Sequence, residues 1–178
     1  DCEFDGNFSY IHGGGLEVQD SELSIDSCDF TNNFAHDDGG GIFIDELSEV
    51  DLMRCKIESN FAYFGGGLTA RGAAALTMLD VVVQTNDAIQ IGGVFLYPSV
   101  TATIEQSTIC GNQEDQIVGN YEDLGLNCID LECNDSDQDG TLDCLDACPN
   151  DPEKIEPGIC GCGISDDDSD GDGTLNCL

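Results

Sequence analysis

Acidic residues near the carboxyl end are spaced to hold a divalent cation. Asp135, Asp137, Asp139, Thr141, Asp143 and Asp146 fall at positions 1, 3, 5, 7, 9 and 12 of one loop, with Gly140 at position 6. In such a loop alternate side chains converge on one point and the glycine permits the sharp turn. The carbonyl at position 7 contributes, and the acid at position 12 closes the shell. Hard oxygen donors of this kind suit Ca2+, with Asp143 placed to act through a water. A second run comprises Asp168, Asp170, Asp172, Gly173, Thr174 and Asn176, and its twelfth position falls beyond Leu178. A repeat is also cut at residue 1, so the chain reads as a piece of a longer protein.

The rest of the composition agrees with a cation requirement. Thirty-seven acids against four Lys or Arg give a formal charge of -33, and so self-repelling a chain needs counter-ions to stay compact. Nucleic acid and anionic membrane surfaces are excluded as partners, because both demand a basic face. No apolar run is long enough to span a bilayer, so no membrane insertion of this segment is expected. The 11 cysteines lack the pairing with histidine of a zinc site, which points to disulfides and an oxidising, extracellular or cell-surface address. An odd number leaves at least one thiol free, buried, or paired outside this chain.

Ahead of these loops the chain carries a 26-residue repeat. Cys2, Cys28, Cys55, Val81 and Ser107 form one column; Phe4, Phe30, Ile57, Val83 and Ile109 a second; Asn7, Asn33, Asn60, Asn86 and Asn112 a third. Glycine triplets precede Leu16, Ile42 and Leu68, and in the fourth repeat the third glycine drifts, leaving Gly92-Gly93 before Val94. Apolar residues alternate at Leu16 and Val18, Ile42 and Ile44, Leu68 and Ala70, Val94 and Leu96. They alternate again at Leu23 and Ile25, Val50 and Leu52, Leu76 and Met78, Ala102 and Ile104, the period of strands with one buried face. Three short strands in 26 residues close one coil of a parallel β-helix. Four to five coils stacked roughly 4.8 Å apart make a rod about 20 Å long. Asparagine is expected to take left-handed backbone angles at one corner and bond local backbone there, and glycine to form a second corner.

The F-x-x-N column followed by G-G-G-L or G-G-G-I resembles the repeats of the polymorphic outer-membrane protein family over residues 1 to about 120. That resemblance implies a right-handed β-helix, which in different proteins carries adhesins, passenger domains or polysaccharide-cleaving enzymes. Residues 133–178, with D-x-D-x-D-G-x-x-D-x-x-D running into Cys148-Pro149, look like the thrombospondin type 3 repeat, although Glu153 to Cys162 departs from it. This second resemblance implies a calcium core, repeats linked by disulfides and a stiff extracellular spacer. The pairing of Cys133, Cys144, Cys148, Cys160, Cys162 and Cys177 does not follow from their spacing.

The expected fold is all-β: a right-handed parallel β-helix over 1–127, followed by a small calcium- and disulfide-stabilised loop-rich region over 128–178. The favoured function is a calcium-binding structural or adhesive surface protein, a rod or stalk element and candidate fibre subunit. Its expected partners are calcium, homotypic head-to-tail or surface-protein contacts, and carbohydrate as a further candidate. The alternative is a polysaccharide lyase or hydrolase with a calcium-repeat spacer. No basic residue is seen facing a row of carboxylates across neighbouring coils, so no catalytic residue is assigned, and His12 and His36 read as surface residues. Stacked Cβ atoms near 4.8 Å apart are wide for a relaxed disulfide, so Cys2, Cys28 and Cys55 are expected as buried thiols. Cys110 is expected to face outward and pair with Cys128. The sequons at Asn7 and Asn134 sit where the fold has other uses for them.

Overall fold

The computed structural model describes residues 2–169, 171 and 173–177. It divides into two compact units, Asp1–Glu132 and Cys133–Leu178. The first is a right-handed parallel β-solenoid of about four turns. The second, among its described residues, consists of turns and bends only. Among the described residues no helix is long and apolar enough to cross a membrane.

Each coil contributes one strand to each of several parallel sheets. One sheet stacks Cys2–Asp5, Cys28–Thr31, Lys56–Glu58, Val82–Gln84, Thr108–Cys110 and Cys128–Asp130. Cys128–Asp130 is therefore a strand of the coil, a little past the expected boundary at 127. A second sheet stacks Leu16–Gln19, Ile42–Asp45, Leu68–Ala70, Val94–Leu96 and Ile117–Val118. A third stacks Glu22–Asp26, Glu49–Met53, Ala75–Leu79, Thr101–Glu105 and Glu122–Asp123. These are the three expected strand columns. A fourth set, Phe8–Ser9, Phe34–Ala35, Phe61–Ala62 and Asp87–Ala88, was not expected, because two-residue strands are too short to show alternation.

Like residues stack on like, with Phe4 over Phe30 and Phe30 over Ile57. The Phe4 and Phe30 rings lie 4.6 Å apart and nearly parallel. Ile42, Ile44, Val50, Leu52, Leu68, Met78, Ile104 and Ile109 show no exposed surface, as the alternation requires. Each coil leaves water as a closed ring of aliphatic side chains packed on the ring of the next.

The corners differ from expectation in an instructive way. At the asparagine corner the left-handed positions are Gly6, Asn32, Ser59, Thr85 and Gly111, each one residue before the asparagine column. The asparagines instead turn inward and bond to one another. Asn60 Nδ2 donates to the Phe30 carbonyl at 2.8 Å and to Asn86 Oδ1 at 3.0 Å. Asn60 Oδ1 accepts from the Asn33 backbone N–H at 2.9 Å and from Asn33 Nδ2 at 3.0 Å. Asn86 and Asn112 repeat the pattern, and Gln116 Oε1 receives the last bonds. At the glycine corner the first glycine, Gly13, Gly39 or Gly65, is left-handed. In the fourth coil that position is Ile91, so it is the first glycine that is lost, whereas Gly92 and Gly93 keep the second and third places. A Cβ at Gly40 would meet the carbonyl oxygens of Gly66 and Phe61, which is why the second position admits no side chain.

The cysteine column also departs from expectation. Cys2 and Cys28 form a disulfide. Their Cα atoms lie 4.6 Å apart, within the span a disulfide bridges, and side-chain rotation closes the remaining gap. Cys55 is buried and is the free thiol among the described residues, as expected for this column, and burial pushes its thiol pKa up. Cys110 and Cys128 are both oxidised, and both are fully buried rather than facing solvent.

Replacing Asn60 by Ala would strip partners from the Asn33 N–H, the Phe30 carbonyl and Asn86 Oδ1 deep in the coil. Unsatisfied buried groups of this kind cost about 3 kcal/mol in total. Asn7→Ala, at the exposed end of the ladder, should cost about 1 kcal/mol or less. Denaturant unfolding of the full chain followed by circular dichroism should separate the two variants.

Candidate functional site

The acidic loop of the second unit draws three of the expected residues together. Asp135, Asp137 and Asp139 bring carboxylate oxygens within 4.8 Å of one another. Gly140 takes a φ of 98°, open to glycine, and its N–H donates to Asp135 Oδ2 at 3.0 Å. The Gln138 N–H donates to Asp135 Oδ1 at 2.8 Å, and the Thr141 N–H to Asp139 Oδ1 at 2.7 Å. The turn is thus built from the first acid's own bonds to the backbone it encloses.

The other expected ligands are distributed differently. Asp143 gives both oxygens to Ser136, through its N–H at 2.8 Å and its hydroxyl at 2.7 Å. Those bonds hold its carboxyl below the usual carboxylate range. Asp146 is buried and accepts the Cys148 N–H at 2.7 Å. Asp137 Oδ2 and Asp146 Oδ2 are buried without a hydrogen-bond partner. Buried carboxylate oxygens of that kind are costly unless a cation meets them, so the residues present fit a calcium ion.

The second loop repeats the scaffold 33 residues later. Gly171 and Gly173 N–H groups donate to the two oxygens of Asp168, at 2.8 and 2.9 Å, as Gln138 and Gly140 do to Asp135. Asn176 takes the place of Asp143, accepting from Ser169 N–H and Oγ at 3.3 and 3.1 Å. The expected ligands Asp170 and Asp172 lie outside the described residues. Disulfides Cys148–Cys162 and Cys160–Cys177 fasten the segment around these loops. Lys154 Nζ, bonded to the Pro157 and Gly161 carbonyls and to Asp166, closes the segment where the repeat pattern lapses.

A separate polar group, missed in the sequence, lies on the outer face of the coil. Arg71 binds Asp45 at 2.7 Å and Asp38 at 3.6 Å, and His12 Nδ1 lies 3.5 Å from Asp38. The Arg71 guanidinium sits 4.7 Å from the Phe43 ring centre, and His12 stacks on the same ring at 4.3 Å. The two acids are driven in opposite directions. Burial pushes the Asp38 carboxyl above its ordinary value, while the bond from Arg71 holds Asp45 below it. Burial and the nearby Asp38 also push the Tyr97 phenol up. The signal that could have found this group is the repeat itself: 12, 38 and 64, and 45, 71 and 97, are columns at 26-residue spacing.

A parallel solenoid with stacked asparagines and glycine corners defines a class. Residues 1–134 match the family described as the right handed beta helix region, and the chain belongs to that family. No curated protein and no solved structure gave a significant match. The family holds enzymes and non-enzymes alike, and shared fold does not assign chemistry.

The opposed acids yield an expectation of opposite sign. With a folded pKa above its unfolded one, Asp38 loses stabilising effect as pH rises through that folded value; Asp45, with a depressed one, contributes above its unfolded pKa and loses it in acid. Asp38→Asn should therefore raise the melting temperature at pH 7, and Asp45→Asn should lower it. Both differences from the parent should shrink as the pH falls below about 4, which thermal melts across a pH series will read.

Proposed function

We propose that this chain is an extracellular, calcium-binding structural or adhesive element without catalytic activity. In this reading the β-helix is a rigid rod, and the acidic repeats form a calcium-set stalk or spacer of the thrombospondin type 3 kind. Secretion fits the ten oxidised cysteines. Homotypic stacking, contacts with other surface proteins and carbohydrate binding are the partner classes that suit a rod of stacked parallel strands.

The observation that carries the reading is the loop of Asp135, Asp137 and Asp139. Their oxygens converge, and two expected ligands, Asp137 and Asp146, keep buried oxygens without protein partners. A segment so short of apolar core needs metal and disulfides to hold one conformation.

A second reading, a polysaccharide lyase or hydrolase, is favoured by one observation. Asp38 and Asp45 have their titrations pushed apart around Arg71, the pattern from which acid and base roles are read in enzymes. A screen for reducing or unsaturated ends released from neutral and acidic polysaccharides discriminates the two.

Calorimetric titration of the full chain should show calcium binding with a Kd on the order of 10⁻⁴–10⁻³ M, the range of extracellular modules. EGTA should lower the melting of the second unit and leave that of the coil in place. Asp139→Asn should weaken binding by about tenfold or more. If calcium neither binds nor shifts any transition, the metal reading fails.

A further inference from the structure

On the outer face of the coil, the column of His12, Asp38 and Phe64 leans over the outward residues of the neighbouring sheet. His12 stacks on Phe43, and Phe64 stacks on Phe95 at 5.8 Å. Phe95 in turn meets Tyr97 at 4.6 Å, and Tyr63 meets Phe64 at 4.8 Å. Between them opens a cleft of about 410 Å³ walled by His12, His36, Asp38, Tyr63, Phe64 and Tyr97, with Asp37 at its margin. That volume falls within the roughly 300–1,000 Å³ of small-ligand sites.

Each carboxylate around this cleft already has a nitrogen neighbour. Asp37 pairs with His36 at 2.7 Å, Asp38 with His12 and Arg71, and Asp45 with Arg71. Both terminal nitrogens of Arg71 face a carboxylate, Asp38 on one side and Asp45 on the other. What remains are aromatic faces and hydrogen-bonding groups. Asp38 is only 6 % exposed, and its Oδ1 has no hydrogen-bond partner although the residue forms part of the wall. His12 Nδ1 likewise makes no hydrogen bond. Buried polar atoms of this kind mark a place where a donor or acceptor from outside the chain is favoured. Aromatic walls beside such groups suit a ligand with one apolar face and a rim of hydroxyls.

We propose that the cleft of His12, Asp38, Tyr63, Phe64 and Tyr97 binds a neutral sugar ring of a glycan, its C–H face on the aromatic walls and its hydroxyls toward Asp38 and His12. The inference rests on the adhesive reading above and supplies that reading with a ligand class. It does not depend on the calcium loops, which belong to the other unit.

Titration calorimetry of the full chain in calcium, with neutral hexasaccharides of glucose, mannose and N-acetylglucosamine as separate probes, tests it. At least one should bind, and Tyr63→Ala, at a side chain already 39 % exposed, should weaken it by about tenfold. Asp38→Asn should weaken it as well, with unchanged circular dichroism, whereas Tyr10→Ala, at an exposed ring outside the cleft, should not. Binding should survive EGTA, so a failure of the calcium reading leaves this result standing. Release of reducing ends during titration would uphold the site and overturn the adhesive reading. The proposal is overturned if no neutral probe binds, if Tyr63→Ala binds as the parent does, or if only tetramethylammonium or a galacturonate hexamer binds.

Discussion

A buried carboxamide must satisfy two donors and an acceptor, and in this coil it can do so only when successive turns are in register. Asn33, Asn60 and Asn86 each donate to a carbonyl of the preceding turn and to the amide of the next, while receiving two bonds from the turn before. A slip of one residue would leave the whole column unpaired at interior depth, where each such group is costly. The glycine corner follows from the same constraint. A Cβ at Gly15, Gly41, Gly67 or Gly93 would crowd the amide nitrogen of Asn33, Asn60, Asn86 or Asn112, at 3.0, 3.0, 3.0 and 3.2 Å. Two columns that look independent in the sequence are thus two sides of one contact.

That contact also explains what could be read beforehand and what could not. The three long strand columns were legible because alternating Leu, Ile and Val report a buried face directly. The short column at Phe8, Phe34 and Phe61 was not, since two residues carry no period. The asparagines were visible as a column, but their role was assigned to the corner, where the residue just before them does that work. Spacing identified the acids that converge at Asp135, Asp137 and Asp139. It could not show that Ser136 would engage both oxygens of Asp143. The cluster of His12, Asp38, Arg71 and Tyr97 escaped notice because its members are far apart within any one turn, and meet only when read down the 26-residue spacing.

The two units solve the problem of stability by different means. The coil excludes water with stacked aliphatic rings, so its turns support their neighbours in the manner of other repeat arrays. The acidic unit has few apolar side chains to bury, and relies on backbone-to-carboxylate bonds, disulfides and Lys154. The use of Asp135 and Asp168 as identical turn-formers, at matching positions in both loops, shows that the loop shape is written into local bonds. Its carboxylates are held close by those bonds, against their mutual repulsion.

The interior columns of the coil are nearly interchangeable from turn to turn, whereas two of the outward ones are not. Gln19, Asp45, Arg71 and Tyr97 share one column, as do His12, Asp38 and Phe64, and no two members of either are alike. Copying one turn would lengthen such a molecule without disturbing its amide ladder, yet would slide Asp38 away from Arg71 by a full step. Growth by duplication is structurally neutral here, but it breaks up whatever chemistry the surface holds. A solenoid of this design can thus change its length freely or keep its surface site, and an insertion inside the first four turns forces the choice.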